Sequence, residues 1–408
     1  MGCKLEVGGS LQHLNMLIVD PYFDDRGGGN VTTQSTLMRL IDQSRFRITI
    51  VVQCESEVLS ALREKGDITC IVASPPKRLR RRYGGHAILE GLLGRVITTV
   101  SLLRYNFQLA QIIRQQKADL IYCNSLRAYL LVGLAAKFTR RPVHLFIRGE
   151  LGNPFLDRLA LRGADRIAFM GSANKTEKYP RLIRSIDEKI DIVPSGVELA
   201  LIDAAKSKDT SKIRDEIQTQ PGRVRIAYIG LIYPAKGVHY LIEALARVVQ
   251  GNKGFQLYLI GDYRTDCRES YRLQLETMIN SSGLKEHVVF LGWRSDVLEV
   301  LSLMDIVVHP SLSEGFPTVV LEAMALRKPV VATKVGALGA DDVIADEKEA
   351  FLVRPHDSKV IADRVSLLIE DDGARERMGA AARARVERDY TAEIVTRKLE
   401  SIWASLAS

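Results

Sequence analysis

The absences in this sequence exclude several classes of function. No run approaches the ~18 apolar residues that a membrane-spanning helix requires. The longest candidate, ILEGLLGRVITTVSLL from Ile88, carries Glu90 and Arg95, so a bilayer span is not expected. The five cysteines (Cys3, Cys54, Cys70, Cys123, Cys267) are odd in number and scattered. They form no C-x-x-C pair and no His/Cys group at zinc spacing, and read as reduced, buried thiols of a cytoplasmic chain. No G-x-G-x-x-G run follows a strand, so a dinucleotide cofactor is not expected, and no convincing D-x-D pair calls for a divalent metal. MGCKLEVGGS lacks the basic-then-apolar layout of a signal peptide, and Glu6 stands where a myristoylation site needs Ser or Thr.

At 408 residues and 45.5 kDa the chain exceeds what one hydrophobic core supports, and two domains of similar size are expected. A 46% apolar content and a mean hydropathy near zero describe a soluble globular protein. The net charge of +8 is unevenly placed: residues 1–200 hold 29 Lys/Arg against 19 Asp/Glu, and residues 201–408 hold 28 against 30. The densest basic cluster is Lys77, Arg78, Arg80, Arg81 and Arg82. A cluster beside an apolar stretch suits anionic lipid or nucleic acid, and equally a solvated loop.

Short Ile/Val-rich runs alternate with helix-period segments throughout, as β-α units around parallel sheets require. Strands are predicted at 14–20, 45–52, 67–73, 118–123, 142–147, 165–170 and 189–194, and then at 223–230, 255–261, 287–292, 305–310, 329–333 and 350–353. The polar stretch 204–223 between the two series is the linker candidate. The expected architecture is α/β: a domain over 1–203, a second over 204–390, and a closing helix over 391–408. Ligands of doubly wound sheets bind at the carboxyl ends of the strands.

In SLSEGFPTVVLEAMA (311–325) a strand leads through a loop into a helix. Pro317 suits the first helical position and Gly315 lets backbone approach a ligand. The free N–H groups over Phe316, Pro317, Thr318, Val319 and Val320, proline excepted, together with the helix dipole make an anion site. Glu322 is placed to accept two hydrogen bonds from a ribose diol, and Glu314, before the helix, to reach the sugar beyond the phosphates. One nucleotide sugar thus accounts for both acids, although each acid alone would pass as a solvated surface charge. A second strand-loop-helix, IGLIYPAKG, offers Gly230 and puts Lys236 at a helix start. A lysine there opposes the dipole, so stability gives no reason for it, and a diphosphate does. Gly27, Gly28 and Gly29, after the first strand, allow a further backbone approach.

These motifs identify the chain by resemblance as a retaining family-4 glycosyltransferase of the two-domain GT-B fold. The resemblance runs from the GGG loop through VPSGVE (193–198) and YIGLIYPAKG to the stretch ending at PVVAT, with a closing helix after DYT (389–391). It implies two Rossmann-like domains facing a cleft and a last helix that crosses back to the first. It implies donor contacts from Gly28, Gly29, Gly230, Gly315, Phe316, Pro317, Thr318, Val319 and Glu322, and catalytic roles for Glu314, Lys236 and Arg148. Two departures stand out. Leu231 occupies a position the family usually gives to arginine, and Arg148, Gly149 and Glu150 follow the fifth strand where a sugar-site histidine is common. His144, inside that strand, reads as a core residue.

The resemblance further implies retention by front-face attack, with the leaving phosphate taking the acceptor's proton. No cofactor or metal is expected, the nucleotide diphosphate sugar being co-substrate. The expected acceptor is a glycan or lipid-linked molecule in cell-surface polysaccharide synthesis, met by the first domain of a cytoplasmic protein resting on the inner face of the membrane. Rival readings are a nucleotide-sugar epimerase of the same fold and a non-catalytic nucleotide-sugar-binding protein. A nucleic-acid protein is disfavoured by the acidic second half and the want of an aromatic-basic platform.

Overall fold

The computed structural model describes residues 13–20, 29–64, 68–76, 92–148, 151–173, 179–217, 220–251, 254–264, 267–340 and 343–407. Gly27, Gly28, the basic cluster Lys77–Arg82, Gly149 and Glu150 lie outside the described residues.

Two parallel sheets organise the chain. The first is built from β1 (Leu14–Asp20), β2 (Phe46–Val52), β3 (Ile68–Val72), β4 (Leu120–Cys123), β5 (Val143–Ile147), β6 (Arg166–Phe169) and β7 (Ile190–Ile192), in the order β3-β2-β1-β4-β5-β6-β7. The second holds β8 (Val224–Ile229), β9 (Phe255–Ile260), β10 (Val288–Gly292), β11 (Ile306–His309), β12 (Val330–Thr333) and β13 (Phe351–Val353), in the order β10-β9-β8-β11-β12-β13. Every predicted strand is present, each within a residue or two of its expected ends. The central strands are buried at every position of β4, β5, β9, β11 and β12, as sheets covered by helices on both faces demand.

Each order reverses once, between β1 and β4 and between β8 and β11. These switch points open a crevice at the strand ends. Aspartates at the opposite, amino ends lock the neighbours together. Asp305 takes the Arg225 N–H and Nε at 2.8 Å and its terminal amino group at 2.7 Å, while Asp119 accepts the Asn15 N–H at 3.0 Å.

One compact unit comprises 1–169, 179–191 and 396–408, and the other comprises 170–178 and 192–395. The polar segment 204–223 lies inside the second unit. It contributes the end of a helix Leu199–Ser207 and a short helix Ser211–Glu216. Ile202, Ala205 and Ile217 are buried, and Asp203 is held by both terminal amino groups of Arg383 at 2.8 and 2.9 Å. Its polarity belongs to the outer faces of packed helices.

Within the helix Ala392–Ala407, residues from Thr396 onward belong to the first unit. Trp403 is fully buried and meets Phe46 and Tyr122 edge to face at 5.9 and 5.3 Å. Its indole N–H donates to His144 Nδ1 at 2.9 Å. His144 is therefore a core residue, and burial drives its pKa down to about 3.

Candidate active site

The second sheet's switch point gathers three loops. The loop after β8 leaves through Gly230, whose φ of 145° suits glycine, and tightens into a 3-10 turn, Pro234–Lys236. Lys236 thus ends this turn, ahead of the helix Val238–Gly251, and not on the helix as expected. Gly237 closes the turn at φ 67°, and a Cβ there would stand 2.0 Å from Pro310 O. Only glycine lets the loop after β11 come so near, and Leu312 N–H joins the two by donating to Ala235 O at 2.8 Å. The loop after β12 closes the third side. Ala337 N–H donates to Gly315 O at 2.8 Å, and a Cβ on Gly336, at φ 57°, would meet Glu314 O at 2.1 Å.

Glu314 is fixed by this convergence. Its Oε1 accepts from Lys236 Nζ and stands 2.8 Å from His309 Nε2. Burial pushes its carboxyl up, but the hydrogen bond and charge of His309 and the charge of Lys236 outweigh it and hold the group down to about 2. The ion pair gives Lys236 a structural reason that the charge pattern along the sequence did not supply. His309 went unnoticed in the sequence, although its signal is visible there: a lone imidazole ends an apolar strand five residues before the acid.

Beyond Glu314 begins the helix Thr318–Ala325, with Pro317 one position earlier than expected, at its N-cap. Val320 N–H closes onto Pro317 O at 3.1 Å, while the N–H groups of Thr318 and Val319 have no intrahelical acceptor and remain for an anion. The Phe316 ring is buried and packs edge-on against Tyr390 at 5.6 Å. Glu322, one turn into the helix, is only partly buried by surface, yet its surroundings raise its carboxyl to about 7 by desolvation. Its carboxylate has no hydrogen-bond or ion-pair partner among the described residues.

The second unit thus brings together Gly230, Lys236, Glu314, Gly315, the N–H groups of 318 and 319, and Glu322. Leu231 is 51% exposed. An arginine nevertheless stands at its loop: Arg264 lies 4.3 Å over the Tyr233 ring and its N–H donates to Ile232 O at 3.2 Å. Arg148 and Gly29 belong to the first unit, at the end of β5 and at the opening of the helix Gly29–Leu40. The Arg148 guanidinium lies 4.4 Å over the Phe146 ring. Among the described residues no group of three or more His, Cys, Asp and Glu is arranged to hold a metal ion.

Residues 209–385 match the model of the family described as glycosyl transferases group 1. The chain is 27% identical over 356 residues to the capsular polysaccharide biosynthesis glycosyltransferase CapM of Staphylococcus aureus, covering 84% of this chain and 91% of that one. It is 23% identical over 282 residues to the UDP-Gal:alpha-D-GlcNAc-diphosphoundecaprenol alpha-1,3-galactosyltransferase of Escherichia coli, covering 65% and 70% of the two. It spans about half the length of several further relatives. Among solved structures, Anabaena Alr3699/HepE in complex with UDP superposes with a TM-score of 0.75 at 22% identity, over 96% of this chain and 100% of that one. At that identity the likeness establishes the GT-B fold.

Proposed function

Because residues 209–385 match the model of the glycosyl transferases group 1 family and the chain is similar over most of its length to a glycosyltransferase, we propose that it is itself a glycosyltransferase, which transfers a hexose from a UDP-sugar, with retention, to a glycan or lipid-linked acceptor of a cell-surface polysaccharide. The observation that carries the reading is the fixed row of Lys236, His309 and Glu314 beside a helix N-terminus whose first N–H groups are free. UDP as carrier is supported by its presence in the HepE structure, and a cell-surface acceptor by the names of the two relatives above.

The chemical difficulty is charge, since the diphosphate gathers it on leaving while the sugar becomes oxocarbenium-like. Preorganised donors lower that barrier most when they need no reorganisation. In this reading the N–H groups of Thr318 and Val319, Lys236 and the nearby Arg264 receive the diphosphate. Lys236 exchanges its bond to Glu314 for one to phosphate, which frees Glu314 for sugar hydroxyls while His309 keeps the carboxylate oriented. Glu322 takes the ribose diol. The acceptor attacks from the face the diphosphate leaves, and a phosphate oxygen takes its proton. Cations and N–H groups meet the developing charge, so the reaction proceeds without a cofactor or divalent metal.

The protein acts in this reading at an anionic membrane surface. No helix among the described residues is long and apolar enough to cross a membrane. The helices Leu92–Gln115, Leu126–Thr139 and Pro154–Gly163 instead expose Val96, Val100, Leu103, Phe107, Phe138 and Phe155. The charged side chains they expose beside these, Arg104, Lys137 and Arg158 among them, are basic, as suits peripheral binding to anionic lipid.

The test is a panel of UDP-, GDP- and ADP-sugars. UDP at about 100 times its dissociation constant should stabilise the fold by roughly 2.7 kcal/mol. Transfer from one UDP-sugar should persist in EDTA and give the donor's anomeric configuration by NMR. An inverted product, loss of rate in EDTA, or stabilisation by GDP alone would each remove the matching part of the proposal.

A further inference from the structure

The first unit carries a polar relay at its own switch point. Asp20 ends β1 and Asn124 follows β4, its neighbour in the sheet, and both are almost wholly buried. Asn124 Nδ2 donates to Asp20 Oδ2 at 3.1 Å. Asn124 Oδ1 in turn accepts from Arg148 Nε at 2.6 Å. A guanidinium gripped by its Nε still offers both terminal amino groups end-on, the edge that meets a carboxylate or phosphate through two parallel hydrogen bonds. The Phe146 face lies beneath the guanidinium, 4.4 Å from it, and the Tyr122 hydroxyl beside it is the one further group that interacts with it among the described residues.

Stability does not account for the surroundings. The Tyr122 hydroxyl faces Arg148, Asp20 and Gln34, yet among the described residues neither this hydroxyl nor either amide atom of Gln34, all buried, has a partner in full hydrogen-bond geometry. Buried polar groups left unpaired destabilise a fold, and such clusters persist where a ligand uses the site.

We propose that Arg148 is an oxyanion receptor, so that the first unit binds a ligand carrying a phosphate or a carboxylate at the carboxyl ends of β1, β4 and β5. Asn124 and, through it, Asp20 are positioning residues that aim the fork. This rests on the glycosyltransfer reading for one point, that the ligand is the acceptor. The acceptor class is then an acidic one: a sugar linked to phosphate, or a uronic acid.

Phenylglyoxal labelling of Arg148 in the full chain, followed by peptide mass spectrometry, tests it. Inorganic phosphate and glucuronate are compared with chloride at equal ionic strength. Threefold or greater slowing at Arg148 is expected from one of the two anions. Protection by phosphate identifies the phosphate-bearing class and protection by glucuronate the uronic one. Equal labelling in all three overturns the proposal. Asn124→Ala and Asp20→Asn should each abolish the protection while UDP still stabilises the protein as in wild type. Folded variants that keep full protection would overturn the positioning role. If neither variant folds, the wild-type labelling decides by itself. Absence of any UDP effect on the wild type sinks the donor reading instead, whatever Arg148 does.

Discussion

His309 Nε2 stands 2.8 Å from Glu314 Oε1, the same oxygen that accepts from Lys236 Nζ, so one carboxylate oxygen carries both partners and the other has none among the described residues. Removing Lys236 therefore does two separable things. Lys236→Met leaves a largely buried carboxylate with His309 alone, and should destabilise the fold by about 3 kcal/mol and abolish the thermal shift from UDP. Glu314→Gln should keep that shift and lower kcat by roughly 10–100-fold, the worth of one charged hydrogen bond. Thermal melts with and without UDP, beside transfer assays, check both. Wild-type kcat in Glu314→Gln would remove this acid from the reaction.

The second acid titrates oppositely. Burial raises Glu322 from 4.5 to about 7, so the folded protein holds its proton more tightly than the unfolded chain does. That contribution to stability is complete below about pH 4.5 and declines as pH rises to about 7, by on the order of 3 kcal/mol. Glu314, lowered to about 2, contributes stability above about pH 4.5 that is lost as pH falls toward 2. Urea melts across pH 4.5–8 should show wild type losing stability relative to Glu322→Gln. A ribose diol prefers the ionised acid, so UDP binding near pH 6.5 should release a proton. Calorimetry in buffers of different ionisation enthalpy measures it, and binding heats that do not depend on the buffer would contradict the assignment.

Gly336 holds the Glu314 loop from behind. Gly336→Ala must place a Cβ 2.1 Å from Glu314 O at φ 57°, and should cost about 1–3 kcal/mol and weaken UDP binding. Gly283→Ala is the control, because φ is again positive, at 72°, but nothing lies within 4 Å of the added carbon. It should show the backbone strain and normal UDP affinity.

The Trp403–His144 bond ties the last helix to the first sheet. Trp403→Phe orphans His144 Nδ1 and should destabilise by about 1–3 kcal/mol. His144 stays neutral because burial lowers its pKa from 6.5 to about 3, so stability should fall as pH drops from 6.5 toward 3. His144→Asn, which keeps an acceptor without a titrating ring, should flatten that window in acid melts.

The membrane reading predicts that Phe107→Glu with Phe138→Glu reduces co-sedimentation with phosphatidylglycerol vesicles at least tenfold, since each buried phenyl ring contributes about 1.5–3 kcal/mol. Serine in place of Lys77, Arg78, Arg80, Arg81 and Arg82 should weaken it further and steepen with falling salt. Unchanged binding by both variants would leave no support for a membrane surface.

Much of this was legible along the chain. Runs such as LNMLIVD and DIVVHP are apolar at every buried position except near their carboxyl ends, where Asp20 and His309 stand, and a two-sided sheet permits little else. The E-x7-E spacing and the glycines of the site were visible because a turn or a close approach admits few other residues. The segment 204–223 reads as a linker because a polar helix face and a polar linker have the same composition, and only Ala205 and Ile217, buried within it, reveal the difference. Lys236 was read as a helix-start charge for want of knowing that Glu314, 78 residues later, lies against it.

Local sequence determined the strands, the turns and the chemical types gathered at each strand end, since these follow from periodicity and from backbone freedom residue by residue. Tertiary structure decided which groups share an atom and how they titrate. Glu314 and Glu322 are the same acid eight positions apart, and only folding sets one beside Lys236 and His309 and leaves the other without a partner among the described residues. Their pKa values diverge because charge interactions and desolvation depend on distance in space and burial, neither of which a linear order contains.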